Sequence, residues 1–396
     1  MTDMSTTRRR LLVSGLAGAG LVLPGAAAAF AQAPRAAGRK LVVIVLRGAL
    51  DGLAALAPVG ERRYGALRGD LALEGGLPAP GPFVFHPALE TLAGLFASGE
   101  ALAVHAIATD YRARSHFDGQ DRLEAATPAI RDGWMNRALA LMGPDAPGAV
   151  GVGQSMPLLL RGSAPASTWA PAVLPGADDD TISRLMDLYA SDPMLGPALA
   201  RALETDAIAS AMTSGSSMGG PGARGAGPQA YALIAQAAGN LLTAPGGPDA
   251  AVISFDGWDT HVRQGAREGQ LANRLAGLDA AIAALRQQLS QVWDRSAILV
   301  VTEFGRTVRL NGAGGTDHGT GGAAFLIGGA VRGGRMIGDW PGLDRLYEDR
   351  DLYPANDLRS LFKAVLAEHW GLDPAGLARR VFPDSGAVPP FEGLIV

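Results

Sequence analysis

The sequence predicts a three-layer α/β sandwich on a largely parallel central sheet, and three observations predict it. Short, unbroken apolar runs rich in β-branched residues recur along the chain, as in strands covered on both faces. Helical patterns lie between several of those runs, as a parallel sheet requires. Acidic and imidazole side chains collect just after the runs, at the carboxyl edge where open α/β sheets bind ligands.

The N-terminal region, from Thr6, reads TTRRRLLVSGLAGAGLVLPGAAAAFAQAP. Arg8, Arg9 and Arg10, an apolar run and then small residues have the layout of an export signal, residues 1–31. Ala29-Phe30-Ala31 fits a cleavage site, and cleavage after Ala33 is disfavoured by Pro34. Thr7-Arg8-Arg9 followed by Arg10-Leu11-Leu12 resembles a twin-arginine (Tat) signal, whose cargo crosses the membrane already folded. Several glycines and Pro24 interrupt the apolar run, which argues against a retained anchor, and no further transmembrane helix is expected. The expected location is the periplasm or the medium.

Removing the signal leaves 365 of the 396 residues, enough for one large α/β domain with an insertion or for two domains. We expect a single domain over 40–396. The signal carries three Arg and one Asp, so the net charge moves from −4 to −6, and nucleic acid is not an expected partner. The chain has no cysteine. Disulfides and thiolate chemistry are therefore excluded, and any metal must sit on Asp, Glu, His, hydroxyl or backbone oxygen.

The first strand is expected at Leu41–Leu46, and others at Leu102–Ile107, Ala149–Val152, Ala251–Phe255, Ala297–Thr302 and Ala323–Ile327. The clearest helix runs roughly from Gln264 to Val292, where Leu271, Leu275, Leu278, Ile282, Leu285, Leu289 and Val292 form one apolar stripe. The region from about 160 to 248 breaks the rhythm. It holds helical stretches near Asp178–Ser191 and Met194–Met212 and a flexible run, TSGSSMGGPGARGAGP, and reads as an insertion capping the sheet.

Arg47 and Asp51 follow the first run; Asp110, Arg112, Arg114, Ser115, His116 and Asp118 follow the second. Asp256, Asp259 and His261 follow the run at 251–255, and Glu303 and Arg306 the run at 297–302. Next comes NGAGGTDHGTGG, in which six of twelve residues are glycine and Asp317 and His318 sit at the centre. Ordering so much glycine is costly, so its backbone is expected to pass close to something. His116, His261 and His318 fall in these loops; His86 lies before a helix, His105 in an apolar strand, and His369 near a helix end that favours a cation.

Carboxylates crowded together at low dielectric repel, and a bound cation removes that cost. Plainer roles compete for each residue. Asp51 can cap the next helix, Glu303 can pair with Arg306, Ser115 is a good N-cap, and Asp259-Thr260-His261 can be an Asx turn. If that last segment is extended, its i, i+2 spacing suits chelation.

At these residues the chain resembles a known family. LRGALDGL, RSHFDGQD, GWDTH, TEFGRT, GTDHGTGG and GGRMIGDWPGL, in that order, resemble the Tat-exported bacterial family called domain of unknown function 1501. More distantly the sequence is similar to the alkaline phosphatase and sulfatase superfamily. That resemblance implies an alkaline phosphatase-like fold, with metal ligands at Asp51, Asp259, His261, Glu303 and His318 and a nucleophile at Ser115. Arg114 or Arg306 would steady the developing anion. Zinc is favoured for such a mixed donor set; calcium, magnesium and manganese remain open. Phe304 stands where relatives carry a second metal-binding histidine, which puts a second ion in doubt.

The expected function is an exported, metal-dependent hydrolase of phosphate or sulfate esters, with a small-molecule or polymer ester as substrate. The alternative is a non-catalytic exported binding or assembly protein, with a protein partner, on a degenerate version of that fold.

Overall fold

The computed structural model describes residues 38–128, 130–143, 146–153, 155–170, 185–186, 188–189, 192–213 and 227–396. The expected export signal, the stretch near 178–191 for the most part, and nearly all of the flexible run after Thr213 lie outside the described residues.

A nine-stranded sheet organises the chain: β1 (Lys40–Arg47), β2 (Ala101–Ala108), β3 (Ala149–Val152), β4 (Ala166–Trp169), β5 (Ala250–Asp256), β6 (Ser296–Thr302), β7 (Gly322–Ile327), β8 (Arg335–Ile337) and β9 (Asn356–Asp357). The order is β8-β2-β7-β6-β1-β5-β3-β4, with β9 also paired to β2. All six apolar runs are strands. Every pairing is parallel except those of β7, which runs against β2 and β6. The fold is therefore α/β with a mainly parallel central sheet.

Side chains alternate across β1 into two separate cores, which is what makes three layers. Val42, Ile44 and Leu46 join one core, under the helices Glu90–Ala97, Pro228–Thr243 and Gln270–Gln288. Leu41, Val43 and Val45 join the other, under Trp134–Met142 and Leu358–Trp370. All six are buried, and each contributes about 1.5–3 kcal/mol by leaving water.

The long amphipathic helix spans Gln270–Gln288, shorter at both ends than the expected stretch from roughly Gln264 to Val292, and Val292 falls in a following 3-10 helix, Ser290–Arg295. Its stripe from Leu271 to Leu289 is buried as expected. The start is delayed because Gly265 and Gly269 hold positive φ angles of 78° and 119°, which a right-handed helix does not allow. Within 160–248 the described residues add β4 to the sheet edge and the helices Leu195–Thr213 and Pro228–Thr243. Tyr231, Ala235 and Ala238 of the latter are buried in the first core. Among the described residues, no helix is long and apolar enough to cross a membrane.

Candidate metal centre

Because β7 is antiparallel, it begins at the sheet edge where β6 ends. The segment from Glu303 to Gly321 therefore leaves and re-enters the sheet on the same side, at the carboxyl ends of β1, β2 and β5. It doubles back on itself through Thr307 N–H to Asp317 O (2.9 Å), Gly319 N–H to Gly305 O (2.8 Å) and a bridge between Arg306 and His318. The glycines of NGAGGTDHGTGG serve close approach. A Cβ on Gly315 would meet Thr260 O at 2.4 Å, and one on Gly319 would meet Arg306 backbone at 2.5 Å.

His318 is thereby carried to the centre of the edge. Its Nε2 lies 2.9 Å from His116 Nε2 and 2.9 Å from His261 Nε2. Asp259 completes the group, with Oδ1 3.2 Å from His318 Nε2 and 3.0 Å from His261 Nε2, and Oδ2 3.4 Å from His116 Nε2. His116, Asp259 and His318 form a cluster able to hold a metal ion, and His261 adjoins it.

The outer nitrogen of each ring is already committed. His116 Nδ1 lies 2.8 Å from Glu303 Oε1, His261 Nδ1 3.1 Å from Asp317 Oδ1, and His318 Nδ1 2.8 Å from the Arg114 carbonyl. These partners only accept, so each Nδ1 carries a proton and each neutral ring turns an Nε2 lone pair inward. Three such lone pairs and a carboxylate meeting at one point repel unless a proton or a cation lies between them. The donor set fits a divalent ion.

Without the ion a proton takes that place. Burial pushes His116 down, but its hydrogen bonds to Asp259 and Glu303 outweigh this and hold it up at about 9. Burial would raise Asp259; hydrogen bonds from His116, His318 and Arg306 hold it far below the usual carboxylate range instead. Glu303, wholly buried, is also lowered against the effect of burial by His116 and by the Gly48 N–H at 2.8 Å.

The residues singled out in the sequence separate into two groups. Asp259, His261 and His318 meet at the centre. Glu303 is one step out, on His116 Nδ1, and also accepts from Gln120 Nε2 at 3.2 Å and Thr302 Oγ1 at 3.0 Å. Asp51 is buried below, bonded to Arg68 and Gln264. Arg306 is buried and binds Asp259 and Thr316. Arg114 pairs with Glu348 and Asp351, and its backbone, at φ 60°, presents the carbonyl to His318. Ser115 caps the helix His116–Ala125 by position, but its side chain makes no capping hydrogen bond.

His116 is the ligand candidate that the sequence-derived set lacks. The signal for it was present: it opens a helix just after β2, at the same edge as the other polar loops. Phe304 stacks on His116, ring centres 5.0 Å apart, and lies 5.4 Å from His318, walling the rings with carbon.

The remaining histidines make their hydrogen bonds away from the site. His105 bonds Leu56 O and Ala106 N–H, and burial lowers it to about 4. His86 bonds Ala266 O and Ala88 N–H. His369 ends its helix as a neutral ring rather than the expected cation, because burial lowers it to about 4.

A family model described as "Protein of unknown function (DUF1501)" matches residues 101–381. The chain belongs to the DUF1501 family. No curated protein matches this DUF1501 chain. Among solved structures, it is similar to a phosphonate monoester hydrolase of Agrobacterium radiobacter at 12% identity and TM-score 0.34, covering 85% of this chain and 74% of that one. It is also similar to the C-terminal periplasmic domain of EcEptC from Escherichia coli in complex with Zn, at 10% identity and TM-score 0.37, covering 90% and 92%. A third likeness, to Ps i-CgsB, has 10% identity and TM-score 0.36, covering 85% and 73%. Identities this low leave the chemistry of this DUF1501 protein to its own residues.

Proposed function

We propose that this DUF1501 protein is an exported hydrolase of phosphate or sulfate esters that holds a divalent ion, zinc by preference, on His116, Asp259, His261 and His318. The observation that carries it is the convergence of three imidazole Nε2 atoms on Asp259 while Glu303, Asp317 and the Arg114 carbonyl occupy the outer nitrogens. A donor set rich in imidazole favours zinc over calcium, magnesium and manganese. When bound, a divalent ion supplies Lewis-acid polarisation of an ester oxygen.

The chain's own residues supply the rest. Ser115 stands at the start of a ten-residue helix. Its hydroxyl is not used in capping and is the candidate nucleophile. The unpaired N–H groups of that helix's first turn favour an anion. Arg306 fixes Asp259, and Phe304 keeps water from one face of the rings. Export through the Tat route, on Arg8 and Arg9, would deliver the site already folded.

One observation favours a second reading, that of an exported binding or assembly protein. Arg114 and Arg306 are both engaged by carboxylates, so neither is free to steady a developing anion. Phe304 likewise supplies no second ligand.

The test is to purify the mature protein without chelators, measure bound metal, and assay phosphate, phosphonate and sulfate esters. Stoichiometric zinc with turnover that Ser115→Ala abolishes supports the hydrolase. Turnover that survives Ser115→Ala moves the nucleophile to water. Metal without turnover on any ester favours the binding protein, and protein that takes up no ion removes the metal reading.

A further inference from the structure

We propose that Gln264 is a positioning residue for the metal centre, setting Asp259 through Thr316 and Arg306. The inference rests on the reading that His116, Asp259, His261 and His318 hold a cation.

A continuous chain of side-chain hydrogen bonds runs beneath the site. Arg68 donates to Asp51 Oδ2, and Gln264 Nε2 donates to the same oxygen at 2.7 Å. Gln264 Oε1 accepts from Thr260 Oγ1 and from Thr316 Oγ1, each at 2.7 Å. Thr316 Oγ1 accepts from Arg306 Nε at 3.1 Å, while Arg306 Nη2 reaches the Thr316 carbonyl and Nη1 reaches Asp259 Oδ1. Arg68, Asp51, Thr260, Gln264, Arg306 and Thr316 are each no more than 2% exposed, so water cannot replace a missing partner.

The chemistry fixes the direction of every bond. Asp51 can only accept as a carboxylate, so the Gln264 amide nitrogen must face it and the amide oxygen must face the two threonines. Thr316 has one hydroxyl proton. Giving it to Gln264 leaves a lone pair for Arg306 Nε. The planar guanidinium is then held at two nitrogens by Thr316, which aims its third at Asp259.

Asp259 itself is partly exposed, with 36% of its side chain accessible, so Arg306 is its buried anchor. Without Gln264, the Thr316 proton has no acceptor fixed along this chain, and the hydroxyl can turn it toward Arg306. The guanidinium then loses one of its two fixed contacts. Asp51, whose place after β1 suggests a ligand, instead anchors the far end of this chain.

The test compares zinc affinity, by competition with a chromogenic chelator, and the visible spectrum of the cobalt(II)-loaded protein across wild type, Gln264→Met, Thr316→Val and Thr316→Ser. Gln264→Met and Thr316→Val should each weaken zinc by about tenfold to a hundredfold and change the cobalt bands. Thr316→Ser, which keeps the hydroxyl, should bind as wild type does. A Gln264→Met protein that fails to fold leaves the decision to the two threonine variants. Wild-type affinity and spectra in folded Gln264→Met and Thr316→Val overturn the inference. So does equal loss in Thr316→Ser and Thr316→Val, which would mark a packing effect. A wild type that takes up no ion removes this inference together with the metal site, whereas a wild type that loads keeps the two separable.

Discussion

The Nε2 atoms of His116 and His318 lie 2.9 Å apart although the residues are 202 positions apart in the chain. With Glu303 and the Arg114 carbonyl on their far nitrogens, the two rings share one proton on that axis or one cation beside it. His318→Ala should lower zinc affinity by more than about a hundredfold, beyond the usual effect of an outer partner. Equilibrium dialysis checks this, and an unchanged affinity would remove His318 from the ligands.

Metal uptake should climb with pH, because the ion displaces a proton from His116. The group is held at about 9 against an ordinary 6.5. Zinc affinity should rise over that window and level off above it. In metal-free protein the sign reverses. A raised folded value stabilises fully below about 6.5, and that stabilisation is lost as pH rises through 9. Thermal unfolding with chelator present should show a melting temperature falling across that range in wild type, and a flatter profile in His116→Gln.

Glu303 sets both the tautomer and the basicity of His116. Glu303→Gln should reduce zinc affinity by about tenfold to a hundredfold and bring His116 down from 9 toward its ordinary value. An NMR titration of the imidazole, with no ion present, reads the second effect by itself. A His116 unmoved by the substitution would contradict the assignment.

Phe304 is buried against two of the rings. Phe304→Ala should cost about 3–5 kcal/mol, measured by urea unfolding of the metal-free protein. Phe304→Leu should cost much less, since it keeps most of the volume. Equal costs would show that ring stacking on His116, rather than filled space, is what Phe304 contributes.

Ser115→Ala should change stability by less than about 0.5 kcal/mol, because the hydroxyl makes no cap bond. Loss of ester turnover in that variant therefore reports on chemistry rather than folding. A large loss of stability would instead mean that the hydroxyl is structural.

Much of the fold was legible because buried strands and the long helix write their burial into periodicity: Leu41–Leu46 and the stripe from Leu271 to Leu289 stand out by hydropathy alone. Strand direction leaves no such mark, so the reversal at β7 was hidden. Asp259, His261 and His318 were legible from their place after apolar runs and among glycines. Asp51 and Glu303 carry the same local signature, yet their contacts are decided by Arg68, Gln264 and His116, far away in sequence. His116 was masked by Ser115, whose N-cap role accounts for the same short segment. Arg306 reads naturally as a partner for nearby Glu303, and only the doubled-back loop shows that it serves Asp259.

The separation of the candidate ligands along the chain has a kinetic consequence. Residues near 116, 260 and 318 follow different strands of one sheet, and a fold that depends on contacts this remote in sequence is expected to form slowly. An unfolded chain has no site to offer. Occupancy by an ion would therefore report completed topology, and free zinc at a hundredfold excess over its Kd would add about 2.7 kcal/mol to the unfolding free energy.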